Sequence, residues 1–313
     1  MGIVAYSLMS DPRSKSALQM LEWCHALGAG GVQVGLDSLA ESDTARLRER
    51  AEALNMYLEV ITDLPKVNDT GEFEQVVGAA KRAGAVAIRT ACLSGRRYET
   101  FSTLEEWNRF VEEARVRIRL AAPIVEKHKI PLGIENHKDW TADDFAKLLK
   151  DCSSEHVGAC LDFGNNISLL DDAQELVDAI APYAVTTHVK DMAVEEYDDG
   201  FLLSEVPLGE GKLDLARIVE TVRKARPRAK FSLEMITRDP LKIPCLTEKY
   251  WVAFPERNGK FLAQTLAWVH AHRSAQPLPR VTVLETPARL KLEEENVKKC
   301  LAFARDKLGL VSA

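Results

Sequence analysis

The sequence predicts an α/β protein of the (β/α)8 barrel class, and three observations carry that prediction. Short β-rich runs alternate with longer amphipathic ones, the pattern of parallel strands joined by helices. No Gly-x-Gly-x-x-Gly follows any strand, which disfavours the open doubly wound sheet; the nearest approach, GAGGVQVG, precedes a strand instead. The fifth to eighth strands each end in a potential metal ligand, at the end where such a barrel carries its chemistry.

The first strand is GIVAYS (2–7), and SKSALQMLEWCHALG is the helix behind it, closed by Gly28. GVQVGL (31–36) and the helix SDTARLRERAEAL follow, with Ser42 as a start signal and Arg46 and Arg50 on one face. YLEVIT (57–62) precedes GEFEQVVGAAKRAG, which ends at Gly84, and AVAIRTACL (85–93) precedes the long helix TLEEWNRFVEEARVRIRLAAPIVEKH. PLGIEN (131–136) leads into TADDFAKLLKDC, where Thr141 stands ahead of Asp143 and Asp144 as an N-cap. VGACLDF (157–163) is followed by AQELVDAIAP, AVTTHVK (184–190) by LDLARIVETVRKA, and KFSLEMI (230–236) by GKFLAQTLAWVHAH. The barrel is expected to span residues 1–275. Residues 276–313 open with two prolines and then give ARLKLEEENVKKCLAFARDKLG, a C-terminal helical extension expected to pack on the barrel or on a neighbouring subunit.

Composition excludes several functional classes. The 313 residues are 46% hydrophobic and 28% charged, enough to bury a large core. A net charge of -6, from 47 acidic and 41 basic residues, argues against nucleic acid as a partner, because phosphate neutralisation needs clustered Lys and Arg. The basic stretch Arg223–Lys230 reads as the solvated end of a helix. The six cysteines (24, 92, 152, 160, 245 and 300) stand singly, which fits reduced thiols and a cytoplasmic setting. A periplasmic setting stays open if a leader preceded MGIVAYS. No apolar run approaches the ~20 residues of a membrane span, so no membrane partner is expected.

The polar residues at the strand ends decide the function. Glu135 ends the fifth strand, Asp162 the sixth, His188 the seventh and Glu234 the eighth, each among apolar or small neighbours. A lone strand-end Asp is an ordinary turn former and a lone strand His an ordinary core residue. Three buried carboxylates together would repel, and two would have to protonate. A single divalent metal ion resolves that conflict, and two Glu, one Asp and one His suit Mn²⁺, Mg²⁺, Co²⁺ or Zn²⁺. The absence of thiolate favours a catalytic ion with open positions over a structural zinc. No nucleotide cofactor is expected.

GIENH, CLDFGN, HVKD, VPLGEGKLDL and LEMITRDP, in this order, resemble the xylose isomerase-like TIM-barrel superfamily, within it the sugar phosphate isomerase/epimerase branch, with D-tagatose/D-psicose 3-epimerases and inosose dehydratases as relatives. The resemblance spans about residues 1–275. It implies metal ligation by Glu135, Asp162, His188 and Glu234, with the two glutamates on opposite faces of a carbohydrate substrate. One removes a proton beside a carbonyl and the other returns it, while the metal stabilises the enediolate. His137, two residues beyond Glu135, points to the same side of a continuing strand and is a candidate for catalysis and substrate-hydroxyl contact. Lys190 stands in the same relation to His188, to stabilise oxyanion charge or to pair with Asp191. Asn165 and Arg238 are candidate contacts to sugar hydroxyls or a carboxylate, and Trp140 and Trp251 are candidates for stacking on a ring, with packing the default for both tryptophans.

Two features depart from relatives that act on phosphorylated sugars. No phosphate cradle is evident: the glycines of PLGEGK (207–212) follow the acidic loop EEYDDGF, and the segment is expected to form a hairpin over the site. The stretch TRDPLKIPCLTEKYWVAFPERNG is longer than a barrel needs and is expected to wall the site, for a substrate larger or more decorated than a free ketohexose. These readings point to a divalent-metal-dependent sugar isomerase or epimerase. A lyase or dehydratase of a keto-sugar, keto-glycoside or keto-inositol uses the same base and metal and is the alternative. An abasic-site endonuclease would use a histidine-rich zinc cluster, and only His137 and His188 of seven histidines fall at strand ends. A non-catalytic sugar-binding barrel would have no use for two buried carboxylates facing one cavity. The polar C-terminal helix suggests a homo-oligomer.

Overall fold

The computed structural model describes residues 1–310. Eight parallel strands close into a barrel: β1 (Gly2–Val4), β2 (Gly31–Val34), β3 (Tyr57–Ile61), β4 (Ala87–Ala91), β5 (Leu132–Glu135), β6 (Val157–Asp162), β7 (Ala184–Val189) and, after an excursion, β10 (Lys230–Leu233). Closure comes from β1, which pairs with both β2 and β10 and so leaves no open edge. The doubly wound alternative is thereby excluded. All eight expected strands are present.

Helices ring the barrel because they carry apolar faces toward it, and several open on a side chain that satisfies a first-turn backbone N–H group. Thr103 and Glu106 form a reciprocal capping box on α5 (Leu104–His128), and Thr141 caps α6 (Ala142–Cys152) through the Asp144 N–H. Asp172 caps α7 (Ala173–Ile180), and Asp214 caps α8 (Leu215–Ala225). Gly28 and Gly84 follow the ends of α1 (Ala17–Ala26) and α3 (Gly71–Arg82) in left-handed conformation.

Between β7 and α8 lies a hairpin, β8 (Asp191–Tyr197) and β9 (Gly200–Val206), joined by a third strand, β11 (Leu241–Ile243). The hairpin therefore starts sooner than expected, with EEYDDGF at its tip and not before it. Gly200, at a φ of 151°, brings the turn so close to β11 that a Cβ would collide with the Ile243 carbonyl. PLGEGK is no hairpin. Its turn is gathered by Asp191, whose carboxylate accepts the N–H groups of Gly209, Gly211 and Leu213. These amides are spent within the protein, and Asp191 does not pair with Lys190. The long stretch after β10 packs mostly behind the hairpin in a second core around Phe201, Tyr250 and Phe254; only its beginning, Thr237–Asp239, faces the barrel mouth.

The C-terminal extension returns to that mouth. Helix α11 (Thr286–Leu308) buries Val297, Cys300 and Ala304 in the main core. Glu293 accepts hydrogen bonds from the Ser10 N–H (3.2 Å) and Oγ (2.6 Å), and Asn296 donates to Thr237 Oγ1 (3.0 Å). Ahead of the helix, Asp239 accepts hydrogen bonds from Val281 and Thr282. No helix among the described residues is long and apolar enough to cross a membrane.

Candidate metal centre and cavity

The strand registers bring the four ligand candidates to one level. Asp162 is opposite His188 across β6–β7, and Glu234, one residue past β10, follows Leu233 opposite Val189. One potential ligand atom from each of Glu135, Asp162, His188 and Glu234 lies within 4.8 Å of the others, and all four residues are buried. Ligands about 2.1 Å from a shared ion stand at most about 4.2 Å apart, so the cluster needs only slight contraction to hold one.

The histidine is oriented for ligation. His188 Nε2 lies 2.7 Å from Gln33 Oε1, and Gln33 Nε2 donates to Glu59 Oε2 (2.9 Å), which also accepts from Ser232 Oγ (3.0 Å). The donated amide fixes which end of Gln33 is oxygen, so His188 must donate from Nε2. Its Nδ1 then faces the cluster, 3.4 Å from Glu135 Oε2, 3.4 Å from Glu234 Oε1 and 3.8 Å from Asp162 Oδ2, without a hydrogen-bond partner. An imidazole held by an outer carboxamide and aimed at carboxylates is the arrangement of a metal ligand with its supporting shell.

Asp162 divides its oxygens. Oδ1 accepts from the N–H groups of Gly164 (2.9 Å) and Asn165 (2.7 Å), the ordinary turn-forming role, while Oδ2 faces the cluster. Oδ2 lies 2.7 Å from Lys190 Nζ, an ion pair whose direction does not make a hydrogen bond. Lys190 also donates to Glu234 Oε2 at 2.6 Å and is fully buried. Burial works against its charge, but Asp162 and Glu234 outweigh it and hold the ammonium protonated. On the far side, Arg89 forks onto Glu135 Oε2, and Asn165 Nδ2 reaches Oε1 at 3.1 Å. Burial raises the Glu135 pKa, yet Arg89 and His188 pull it well below the usual carboxylate range. Glu234 is likewise lowered, burial being outweighed by Lys190 and His188.

Burial and the two glutamates raise the Asp162 pKa against the pull of Lys190; with all three carboxylates ionised, Arg89 and Lys190 leave one negative charge for His188 to answer. Burial opposes its protonation, while Cys160, Glu234 and Glu135 favour it more strongly and lift its pKa well above the ordinary value. Cys160, pushed up to about 11 by burial, is a neutral thiol at pH 7, so the glutamates are the anions that matter. A divalent ion takes over that role more completely than a proton does.

A cavity of about 710 Å³ opens above the cluster, lined among others by Arg89, His137, Glu234, Arg238, Arg289 and Glu293. His137 Nδ1 donates to the Leu93 carbonyl (2.9 Å), and burial lowers its pKa to about 4, which leaves a neutral ring with Nε2 as acceptor. Arg238 is forked onto Glu205 (3.1 and 2.6 Å), the residue that β9 sends back to the site.

Three candidates face protein and not the cavity. Trp140 is not at the cavity: α6 begins directly after it, and its ring packs 5.5 Å from Trp107 and 5.9 Å from Phe110. Asn165 is fully buried and serves Glu135, Lys138 and Lys190, so its contacts are to protein. Trp251 packs on Tyr250 and donates to the Cys245 carbonyl, again away from the mouth. Sequence reasoning passed over Gln33, Glu59, Arg89, Glu205 and Lys138. The last has a left-handed φ of 61°, and burial followed by Lys190 and Arg238 lowers its pKa to about 8.

Comparison with known proteins agrees with this frame. The chain is 28% identical over 225 residues to 3-oxo-isoapionate decarboxylase of Pectobacterium atrosepticum, covering 70% of this chain and 76% of that one. A solved D-psicose 3-epimerase superposes with a TM-score of 0.64 at 16% identity, over 98% of this chain and 99% of the other. The probable 3-DHS dehydratase AsbF of Bacillus anthracis gives 0.58 at 17% identity, over 82% and 99%. At these identities the two structures speak to the fold alone. The xylose isomerase-like TIM barrel family matches residues 21–256, three quarters of the sequence, and the chain belongs to that family.

Proposed function

We propose that the protein is a divalent-metal-dependent lyase of carbonyl-bearing carbohydrates, working through proton abstraction next to the carbonyl. Glu135, Asp162, His188 and Glu234 would hold the ion, which polarises the carbonyl and accepts charge developing on its oxygen. The observation that carries the lyase outcome is the asymmetry of the two glutamates. Glu234 lines the cavity, whereas Glu135 is fully buried and clamped by Arg89 and Asn165. Two-base epimerisation needs a free carboxylate on each face of the substrate; elimination needs one.

Glu234, kept ionised by Lys190, takes the proton from the carbon beside the carbonyl, and the C–H electrons pass to the enediolate. These electrons then expel the β-hydroxyl, and the proton held by Glu234 leaves with it as water. His137 Nε2 accepts from a substrate hydroxyl and fixes its orientation. The name of the sequence relative, a decarboxylase, supports a lyase.

Epimerisation is the second reading, and one observation favours it. Glu135 and Glu234 each approach His188 Nδ1 at 3.4 Å, as a pair flanking one centre would. Proton exchange separates the two. Mn²⁺-loaded protein in D₂O, given ketoses, keto-glycosides, inososes and keto-acids, should produce an ultraviolet-absorbing enone or enol product. Deuterium entering with an epimer, and no elimination, would overturn the lyase reading; neither exchange nor an elimination product from any substrate would overturn both.

A further inference from the structure

The cavity has four arginines on its wall, and three of them are committed. Arg89 is forked onto Glu135, Arg238 onto Glu205, and Arg117 donates from Nε and Nη2 to the Pro65 and Leu64 carbonyls, both at 2.9 Å. Arg289 is different. It is half-buried, and its Nε is shielded from water with no hydrogen-bond partner. A shielded guanidinium N–H without an acceptor costs free energy that an anion beside it would recover.

Its position is held from both sides. Val281 and Thr282 are tied to Asp239 before it, and Glu293 is tied to Ser10 after it, so α11 enters the mouth with little freedom at Arg289. The carboxylate one turn along, Glu293, feels the Arg289 charge, but it is drawn to Ser10 through both oxygens and makes no ion pair or hydrogen bond with the guanidinium. Arg289 also lies outside residues 21–256, the part shared with the family. The ligands and the base come from the barrel, whereas this cation comes from the extension.

We infer that Arg289 forms an anion subsite that recognises a carboxylate on the substrate, making the substrate a keto-acid of the carbohydrate series. The inference rests on the proposed function for the location of the reacting carbon. A planar guanidinium meets a carboxylate through two parallel hydrogen bonds, which suits a single arginine. Phosphate is the poorer match: the glycine-loop amides that would cradle it are taken by Asp191. The charged end would sit at the rim and the carbonyl at the metal, so substrate length is read between the two.

The test is calorimetric binding to Mn²⁺-loaded protein with 5-keto-D-gluconate, D-fructose and D-fructose 6-phosphate as probes. The acid is expected to bind at least about tenfold more tightly than the neutral ketose, the lower end of what a charge-assisted pair contributes. Arg289→Gln should abolish that difference while leaving D-fructose affinity unchanged, and Arg289→Lys should retain part of it. Equal binding of acid and ketose by the unaltered protein would overturn the subsite, as would discrimination that survives in Arg289→Gln. Preference for the phosphate ester, lost in Arg289→Gln, would overturn the carboxylate assignment. Deuterium exchange on the same samples separates this from the proposed function. Arg289-dependent binding with neither exchange nor an elimination product from any substrate removes the chemistry and keeps the subsite. Exchange from 5-keto-D-gluconate that is equally fast in both proteins, with equally tight binding, removes the subsite and keeps the chemistry.

Discussion

Replacing Gln33 with leucine tests the claim that the metal centre depends on a residue that touches no metal. Gln33, Glu59 and His188 are all fully buried, so nothing from solvent can substitute for the lost amide. The variant removes two hydrogen bonds, one from the imidazole at 2.7 Å and one to the Glu59 carboxyl at 2.9 Å. At about 1 kcal/mol for each hydrogen bond, and about 1–3 for a buried partner left unsatisfied, metal-free stability should fall by roughly 2–4 kcal/mol. The loss of orientation adds a separate effect, since outer-shell partners change metal affinity by about 10–100-fold. The corresponding binding energy is about 1.4–2.8 kcal/mol. Isothermal titration with Mn²⁺ reads the second effect directly, and thermal melts with and without metal read the first. Gln33→Glu is the informative companion. It keeps an oxygen for His188 Nε2, and Glu59, whose pKa burial raises, can supply a proton between the two carboxyls. Its metal affinity should stay much nearer the native value than that of Gln33→Leu. If Gln33→Leu binds Mn²⁺ as tightly as the native protein, the orienting chain has no bearing on the ion.

Glu234→Gln should lower proton exchange by about 10²–10⁴-fold, the usual worth of a positioned base, and full retained exchange would remove Glu234 from the chemistry. Lys190→Met should cost the metal-free protein about 3–5 kcal/mol, because Asp162 and Glu234 lose the ammonium between them, and saturating Mn²⁺ should restore part of it. Unchanged melting in EDTA would contradict that pairing. Asp139 gives a pH signature: burial raises its carboxyl to about 7, above its unfolded value near 3.9. Its contribution is therefore complete below about pH 3.9 and declines as pH rises to about 7, so Asp139→Asn should be more stable than the native protein at pH 8 and lose that advantage by pH 4. Parallel denaturation curves at both pH values would show that Asp139 does not titrate in this way.

The parts legible in the sequence are those where local pattern and chemistry coincide. Apolar runs ended by Glu135, Asp162, His188 and Glu234 pointed to the barrel and to the four residues that it gathers within 4.8 Å at one end, because a charged group closing a buried strand has few explanations. Gln33, Glu59 and Arg89 sit inside their strands, where a polar residue looks like the wet face of an amphipathic strand. Only closure of the sheet turns that face inward. Trp140 took its default, packing: ahead of α6 its ring joins Trp107 and Phe110 in an aromatic cluster. The β8–β9 hairpin was legible in principle, from the apolar runs Met192–Val194 and Phe201–Leu203 on either side of Asp198 and Asp199, but its acidic tip resembled a loop. Arg289 had no signal at all. It lies in a polar helix more than fifty residues beyond the last ligand, and only the fold brings it to the cavity.

The anchoring of residues 281–293 over the mouth has a consequence for the order in which the centre is completed on the ribosome. All eight barrel strands are made before these residues, so the sheet can close while the Asp239 and Ser10 anchors still wait for their partners. Until then the nest of acidic side chains lies at the bottom of an open well, within reach of a hydrated ion. The wall that narrows the entrance arrives last, after the well beneath it is built.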